Sequence, residues 1–341
     1  MHVELPLADQ NNMIFYERIL ARGEQLTGLK RRIFFWALNL GLNFDPDVRC
    51  PLFKRLQMVV ADFLVFRKWR EAFGGRVSGI ISGSAALQPR LARVFFAAGI
   101  SVWEGYGPTE AAPVVAVNRP KTSLHKLGTV GPVIPGGEIK IAEDGEILYR
   151  GPNVMMGYYG RPDLTKEAID SDGWLHTGDV GEMDGPFLKI TDRKKEIFKT
   201  SGGKYIAPQQ VENQLKESRF IAQCMVVGEN HKFPVALIVP QFEAIQSWLA
   251  TEDESIEDRT KISKHPKVVG LIQSELDRCN QRFGRYSQVK KFALLEEEWT
   301  IASGELTPTL KLKRKQILKK HASEIAGLYE KEELASASYR E

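Results

Sequence analysis

The sequence predicts an α/β protein in two parts. A parallel βαβ sheet with a small antiparallel sheet or barrel comes first, and a smaller α+β domain follows. Three observations predict this. The length of 341 residues, at roughly 150 residues per domain, suits two domains or one large domain with an appendage. Residues 76–110 read strand, small-residue loop, helix, strand and Gly-Pro loop, the pattern of a βαβ unit in a parallel sheet. At Asp192 the texture changes to a charged segment, a Gly pair and a new set of helices and strands, so the boundary falls between 1–191 and 192–341.

The elements follow in order. From Met13 to about Phe73, apolar residues recur at spacings of three and four in MIFYERILARGEQL and PLFKRLQMVVADFLVFRKWREAF, which predicts helices over a sheet. In RVSGIISGSAALQPRLARVFFAAGISVWEGYGPTE, Pro89 opens a helix, Gly99 stops it, and a strand precedes each loop. Between Gly128 and Ile190, short strands such as EIKIA and EILYRG flank the turn signal Glu143-Asp144-Gly145. Beyond Asp192, a helix from Pro208 to about Glu217 and strands at CMVVG and VALIVP are expected, with more helices after them. The acidic stretch from Glu252 reads as a solvated loop or helix end. LKLKRKQILKK from Leu310 carries six basic residues and reads as a solvated basic helix, with Lys313, Arg314, Lys315, Lys319 and Lys320 in water.

Composition excludes several classes. With 43% hydrophobic and 26% charged residues the chain can bury sizeable cores and is neither disordered nor collagen-like. A net charge of +4 is too slight to predict nucleic acid as the main partner. Cys50, Cys224 and Cys279 lack the paired spacing of a zinc site or disulfide framework, which fits a reducing compartment. The longest strongly apolar stretch, Ile33 to Phe44, is shorter than the roughly 20 residues of a membrane span, and MHVELPLADQNN does not read as a signal peptide. A cytoplasmic location is expected, with peripheral contact at a membrane and homo-oligomerisation left open.

Five segments could carry chemistry. Gly105 to Glu110, GYGPTE, ends a strand of the parallel sheet, where open α/β folds bind ligands. Gly105 and Gly107 permit close backbone approach, Tyr106 offers a flat face for a base, Thr109 a hydroxyl for a phosphate, and Glu110 a hard ligand for Mg²⁺. A plain Gly-Pro turn with a capping Thr explains the same hexapeptide. ISGSAAL leaves the backbone of Gly83, Ser84 and Ala85 open to an adenine edge, or simply lets a helix pack closely. HTGD sets Asp179 after a Thr-Gly turn, suited to both hydroxyls of a ribose, though a hairpin turn would look alike; His176 reads as structural. DRKKEIFKTSGGKYIAP combines Arg193, two lysines and a Ser-Gly-Gly turn before a helix, and could be a charged linker. ELTPTLKLKR places Lys311 on a Pro-stiffened loop ahead of the basic helix.

Taken in order, the five segments resemble the core motifs of the adenylate-forming superfamily: acyl- and aryl-CoA synthetases, peptide-synthetase adenylation domains and luciferase. The resemblance assigns GYGPTE to the magnesium and adenine loop, SGSA to the adenine edge and Asp179, with Arg193, to the ribose. It makes Lys195 the interdomain hinge, Ser201, Gly202 and Gly203 the face for coenzyme A, and Lys311 the catalytic lysine, with Thr109 and Glu110 also catalytic. RRIFFWALNLG, EGYGPTE, DRKKEIFKTSGGKYIAP and TPTLKLKR look like the long-chain fatty acid CoA ligases in particular.

Two departures accompany the resemblance. The Ser/Thr/Gly-rich phosphate loop ending in Pro-Lys-Gly, which the family carries upstream, is not found, so the first part resembles an incomplete adenylation domain and the chain alone is expected to lack activity. Leu310 stands where many relatives have Gly. The implied reaction joins a fatty carboxylate to AMP from ATP with Mg²⁺, releases pyrophosphate, then passes the acyl group to coenzyme A. Transfer to a carrier protein is the near rival. A catalytically silent nucleotide-binding or interaction fragment is the rival from a different class.

Overall fold

The computed structural model describes residues 3–6, 16, 19–20, 22–46, 48, 50–83, 87–120, 124–308 and 310–337. The chain divides into two compact units, Met1–Thr191 and Asp192–Glu341.

In the first unit β1 (Val3–Pro6), β2 (Val77–Ser82) and β3 (Ser101–Tyr106) run parallel, and β4 (Ala116–Val117) pairs antiparallel with β3 at the edge. Helices α1 (Gly28–Leu42), α2 (Leu52–Ala61), α3 (Arg67–Ala72) and α4 (Pro89–Ala97) supply the rest of this core. Pro89 opens α4, whose free first N–H is dispensable, and Gly99 at φ +74° follows its last residues. The 3.6-residue period of α4 aims Leu91, Val94 and Phe95 inward, where α1 presents Phe34, Ala37 and Leu38. Between α2 and α3 the helix widens into a π turn, Asp62–Phe66. Arg70 forks onto Asp62 across that turn at 2.5 and 3.0 Å and reaches the Ala98 carbonyl at 2.6 Å.

The antiparallel sheet expected from the second half of this unit is present as β5 (Glu138–Ile141), β6 (Glu146–Arg150), β7 (Leu175–Asp184) and β8 (Phe187–Arg193), in that order. Gly145, at φ +84°, makes the β5–β6 turn, and α5 (Pro162–Ala168) joins β6 to β7. Ile147, Tyr149, Leu175 and Leu188 form a separate small core.

The second unit begins with a short hairpin, β9 (Phe198–Lys199) and β10 (Tyr205–Ile206), and α6 (Pro208–Leu215). Its sheet sets β12 (Val235–Pro240) between β11 (Ile221–Val227), antiparallel, and β13 (Lys291–Leu294), parallel. Every residue of β12 is buried, as its unbroken apolar run requires of a central strand covered on both faces. Helices α7 (Phe242–Thr251), α8 (Arg259–Lys264), α9 (Pro266–Asn280), α10 (Arg314–Lys320) and α11 (Ala322–Ala337) complete it. The acidic stretch from Glu252 is irregular until Asp258, whose carboxylate caps α8 by accepting from the Thr260 and Lys261 amides. Among the described residues no helix is long and apolar enough to cross a membrane.

Candidate functional site

Strand β3 delivers Gly105 and Tyr106 to its C-terminal end, and the chain then folds back sharply. A Cβ on Gly107 would lie 2.1 Å from the Pro113 carbonyl oxygen and 2.8 Å from the Val115 nitrogen, so only glycine fits. The Val115 N–H donates to the Tyr106 carbonyl at 2.7 Å and closes the loop. Thr109 and Glu110 stand on a single 3₁₀ turn, Thr109–Ala111. The loop is held from behind by Asn153, whose amide donates to the Ala111 carbonyl and, at 2.8 Å, to that of Val114. Asn153 is itself fixed by the hydroxyl of fully buried Tyr149 at 2.6 Å.

Glu110 is anchored at both ends. Its carbonyl accepts the Met155 N–H at 2.7 Å, and its Oε1 accepts the Tyr158 hydroxyl at 2.6 Å. That bond to a carboxylate holds the Tyr158 phenol above its ordinary pKa. Neither Asn153 nor Tyr158 was singled out by sequence reasoning. The segment NVMMGYYGRP reads as an ordinary loop, and its partners lie some 40 residues upstream.

Asp179 comes to this loop from the antiparallel sheet. The Tyr106 hydroxyl donates to its Oδ2 at 2.7 Å across 73 residues of sequence, and Asp179 is 8% exposed. The hairpin-turn alternative for HTGD is corrected here, because His176 to Asp179 lie inside the continuous strand β7. Glu146 pairs with Val180 while Leu148 pairs with His176, so β7 carries extra residues opposite β6 and bulges, with Gly178 at φ +70°. Glu146, 4% exposed, fills the bulge: its Oε1 accepts the Gly178 N–H at 2.9 Å and its Oε2 lies 3.3 Å from His176 Nδ1. Thr177 Oγ1 donates to the Ile147 carbonyl and accepts the Asp179 N–H. The bulge turns Asp179 towards Tyr106.

Gly83 follows β2 beside the same loop, with its Cβ direction 3.5 Å from the Gly105 carbonyl oxygen. Ser84 and Ala85 lie outside the described residues. Gly83, Gly105 to Glu110 and Asp179 are thus gathered at the C-terminal ends of parallel strands.

In the second unit Arg193 ends β8 with an exposed side chain, and Lys195 sits exposed in the turn that follows. Ser201, Gly202 and Gly203 form the tip between β9 and β10, tied by the Ser201 N–H to the His231 carbonyl at 2.9 Å. Lys311 sits near the tip of a tight hairpin in which Leu306 bridges Leu312. Its amide donates to Thr307 Oγ1 at 2.9 Å, and its carbonyl accepts the Thr307 N–H at 2.9 Å. Leu310 adopts φ +54°, the left-handed conformation that explains why glycine suits this position.

One reading of the basic helix is overturned. Arg314 is not solvated: its guanidinium is largely buried and forks onto Glu212 at 2.7 and 2.8 Å and Glu196 at 2.9 Å. The period of α10 turns Arg314 inward together with Ile317, while Lys315 and Lys319 stay exposed. Lys320 pairs with buried Glu305 at 2.7 Å. Fully buried Asp192 accepts the Arg193 and Gln209 amides at 2.6 and 2.9 Å. Burial raises its pKa to about 7 against the pull of those donors, with Glu196 and Glu212 adding repulsion.

The AMP-binding enzyme family matches residues 46–159 and the AMP-binding enzyme C-terminal domain matches residues 195–333. Long-chain-fatty-acid–CoA ligase FadD15 of Mycobacterium bovis is 40% identical over 327 residues, 93% of this chain and 54% of that protein. The chain therefore spans about half the length of this curated relative. The A-PCP didomain of a carboxylic acid reductase from Segniliparus rugosus, solved with AMP, shares the fold at a TM-score of 0.67 and 23% identity. That match covers 98% of this chain and 42% of the didomain. O-succinylbenzoate coenzyme A synthetase from Bacillus subtilis, solved with ATP and magnesium, matches at TM-score 0.53 and 25% identity, over 73% of this chain and 50% of that one. With both family domains matched in order and 40% identity to a curated ligase over 93% of its length, the chain belongs to the adenylate-forming superfamily of AMP-binding enzymes.

Proposed function

We propose that this sequence forms the AMP-holding and C-terminal portion of an AMP-forming long-chain fatty acid CoA ligase. The observation that carries the reading is the 2.7 Å bond from Tyr106 to Asp179 at the ends of the parallel strands. It fixes a flat ring and an aimed carboxylate side by side, as an adenosine needs. The long-chain acyl group is inferred from the relative at 40% identity.

The fatty carboxylate attacks the α-phosphorus of ATP, the bond to the β-phosphate oxygen breaks, and pyrophosphate departs with its electron pair. The resulting acyl-adenylate then reacts with coenzyme A: the thiol proton passes to solvent, the thiolate sulfur bonds to the acyl carbon, and AMP leaves with the acyl–oxygen electrons. Asp179 accepts the ribose hydroxyls, and Arg193 is assigned to the ribose with it. Gly83, Ser84 and Ala85 meet the adenine edge, Tyr106 its face, and Gly105 and Gly107 let the nucleotide approach. Thr109 donates to the phosphate, and the Lys311 ammonium offsets charge as adenylation proceeds. Rotation at Lys195 then brings Ser201, Gly202 and Gly203 to coenzyme A. Magnesium would be held by one or two carboxylates plus substrate phosphates, and Glu110, steadied by the Tyr158 hydroxyl on its Oε1, fits that role. When bound, the ion neutralises phosphate charge.

Calorimetric titration with a nonhydrolysable fatty acyl-AMP analogue tests the reading. Binding is expected, and Asp179→Asn should weaken it by about 10-fold or more, the cost of losing charge-assisted hydrogen bonds. No binding, or equal affinity in Asp179→Asn, would overturn it.

A further inference from the structure

The second unit contains an ion-pair network that joins two segments given separate roles above. Arg314 Nε donates to Glu196 Oε2 at 2.9 Å, across 118 residues, while its Nη2 spans both oxygens of Glu212 and Nη1 reaches the Val226 carbonyl at 3.3 Å. Glu212, buried on α6, also accepts the Val226 N–H at 2.7 Å. Glu196 Oε2 takes a second bond, from Gln209 Nε2 at 2.9 Å, and the Gln209 backbone N–H donates to Asp192 at 2.9 Å. The network therefore runs from Asp192 and Glu196, on either side of Lys195, through Arg314 to α6.

Arg314 is also the root of the hairpin that presents Lys311. The Lys313 N–H, one residue before it, donates to the Glu305 carbonyl at 2.7 Å and closes the hairpin base. Lys320, on the far end of α10, grips the Glu305 side chain. A planar guanidinium can satisfy two carboxylates and a carbonyl in few arrangements, and a buried one cannot exchange its partners for water without a large penalty. If Glu196 moves, Arg314 must repack, and the hairpin base moves with it.

We propose that Arg314 is a positioning residue that couples the conformation of the 192–196 segment to the order of the hairpin carrying Lys311. The inference rests on the roles given above to Lys195 and Lys311. Two carboxylates, Glu196 and Glu212, share the one guanidinium, and Asp192 is tied to Glu196 through Gln209, so a shift in the 192–196 segment reaches Arg314.

Amide hydrogen exchange on the 341-residue chain measures the coupling without any need for activity. The Lys311 and Lys313 amides are the reporters, because each donates within the hairpin. Glu196→Gln removes one charge from the segment side and should speed exchange of both reporters by about 5- to 10-fold through Arg314. Arg314→Lys should do the same, since a single ammonium cannot reproduce the fork. The double variant should exchange no faster than either single one. Glu275→Gln, which weakens the pair between half-buried Glu275 and exposed Arg278 on α9, should leave the reporters unchanged. Arg314→Ala is avoided because it would strand the buried Glu212 charge and threaten folding.

Unchanged reporters in Glu196→Gln, additive effects in the double variant, or equal acceleration by Glu275→Gln would each overturn the coupling. Such a result would leave analogue binding at Asp179 intact, whereas failure of analogue binding would leave the exchange result standing.

Discussion

Two side chains decide most at the scale of residues. Lys311 is exposed on its hairpin, and only its position relative to the Pro-Thr loop distinguishes it from Lys313 and Lys315. In a chain joined to the upstream half of the mycobacterial relative, Lys311→Ala should slow fatty-acid-dependent ATP/pyrophosphate exchange by about 10² to 10³, the usual cost of a lost preorganised donor. Lys313→Ala should leave it within about two-fold, and equal losses would make the loop a structural lid. Leu310 poses the opposite question. Its φ of +54° costs about 1 kcal/mol for a residue with a Cβ, yet its side chain packs against the core of the second unit. Leu310→Gly should therefore shift urea stability by less than about 1 kcal/mol, because strain relief offsets lost packing. Leu312→Gly, on an extended bridge in the same hairpin, should cost about 2 kcal/mol.

Individual elements of the candidate site are held in place by polar bonds from elsewhere in the chain. Asn153 supplies both donors that fix the loop from Pro108 to Val114 and satisfies the Tyr149 hydroxyl. Asn153→Ala should cost about 2 to 3 kcal/mol in denaturant unfolding, the penalty for leaving those groups unpaired. A loss below about 0.5 kcal/mol would mean the loop is held otherwise. The junction entering α6 should instead show itself through pH. Asp192 has a folded pKa of about 7, above the ordinary value near 3.9, so between these limits the native state keeps a proton that the unfolded chain has released. Stability is therefore fully present at low pH and falls as pH rises through about 4 to 7, then levels off, by an amount on the order of a few kcal/mol. Asp192→Asn should flatten that fall when urea midpoints are compared at pH 5 and pH 8. An unaltered slope would show that Asp192 is ionised in the native state throughout.

For the whole molecule, the consequential place is the passage from the first unit to the second at Thr191 and Asp192. Lys195→Pro would fix φ and bar its predecessor from the helical region within this turn. Neither the Glu196 N–H nor the Ile197 N–H, which both return to the Arg193 carbonyl, is removed by it. In the joined chain, adenylation should persist while thioester formation from supplied acyl-AMP and coenzyme A falls by 10-fold or more. Equal loss of both steps would place the pivot elsewhere.

Local signals in the amino-acid sequence place many of the elements, although neither β1 nor α5 is among them. Pro89 and Gly99 bound their helix, Gly145 makes its turn, the apolar run Val235–Pro240 is a buried strand, and the textural break falls at Asp192. These are local signals, in which backbone preference and hydrophobic period act over a few residues. Long-range pairing makes HTGD a bulged strand rather than a turn, because a bulge is defined by the partner strand and by Glu146 filling it. It also means that Asn153 and Tyr158 hold the candidate loop, and that Arg314 leaves its basic neighbours to enter the interior. Each of those depends on a hydrogen-bonding or charged partner dozens of residues away. A buried polar group is stable only where such a partner is brought to it, and spacing along one segment does not record that.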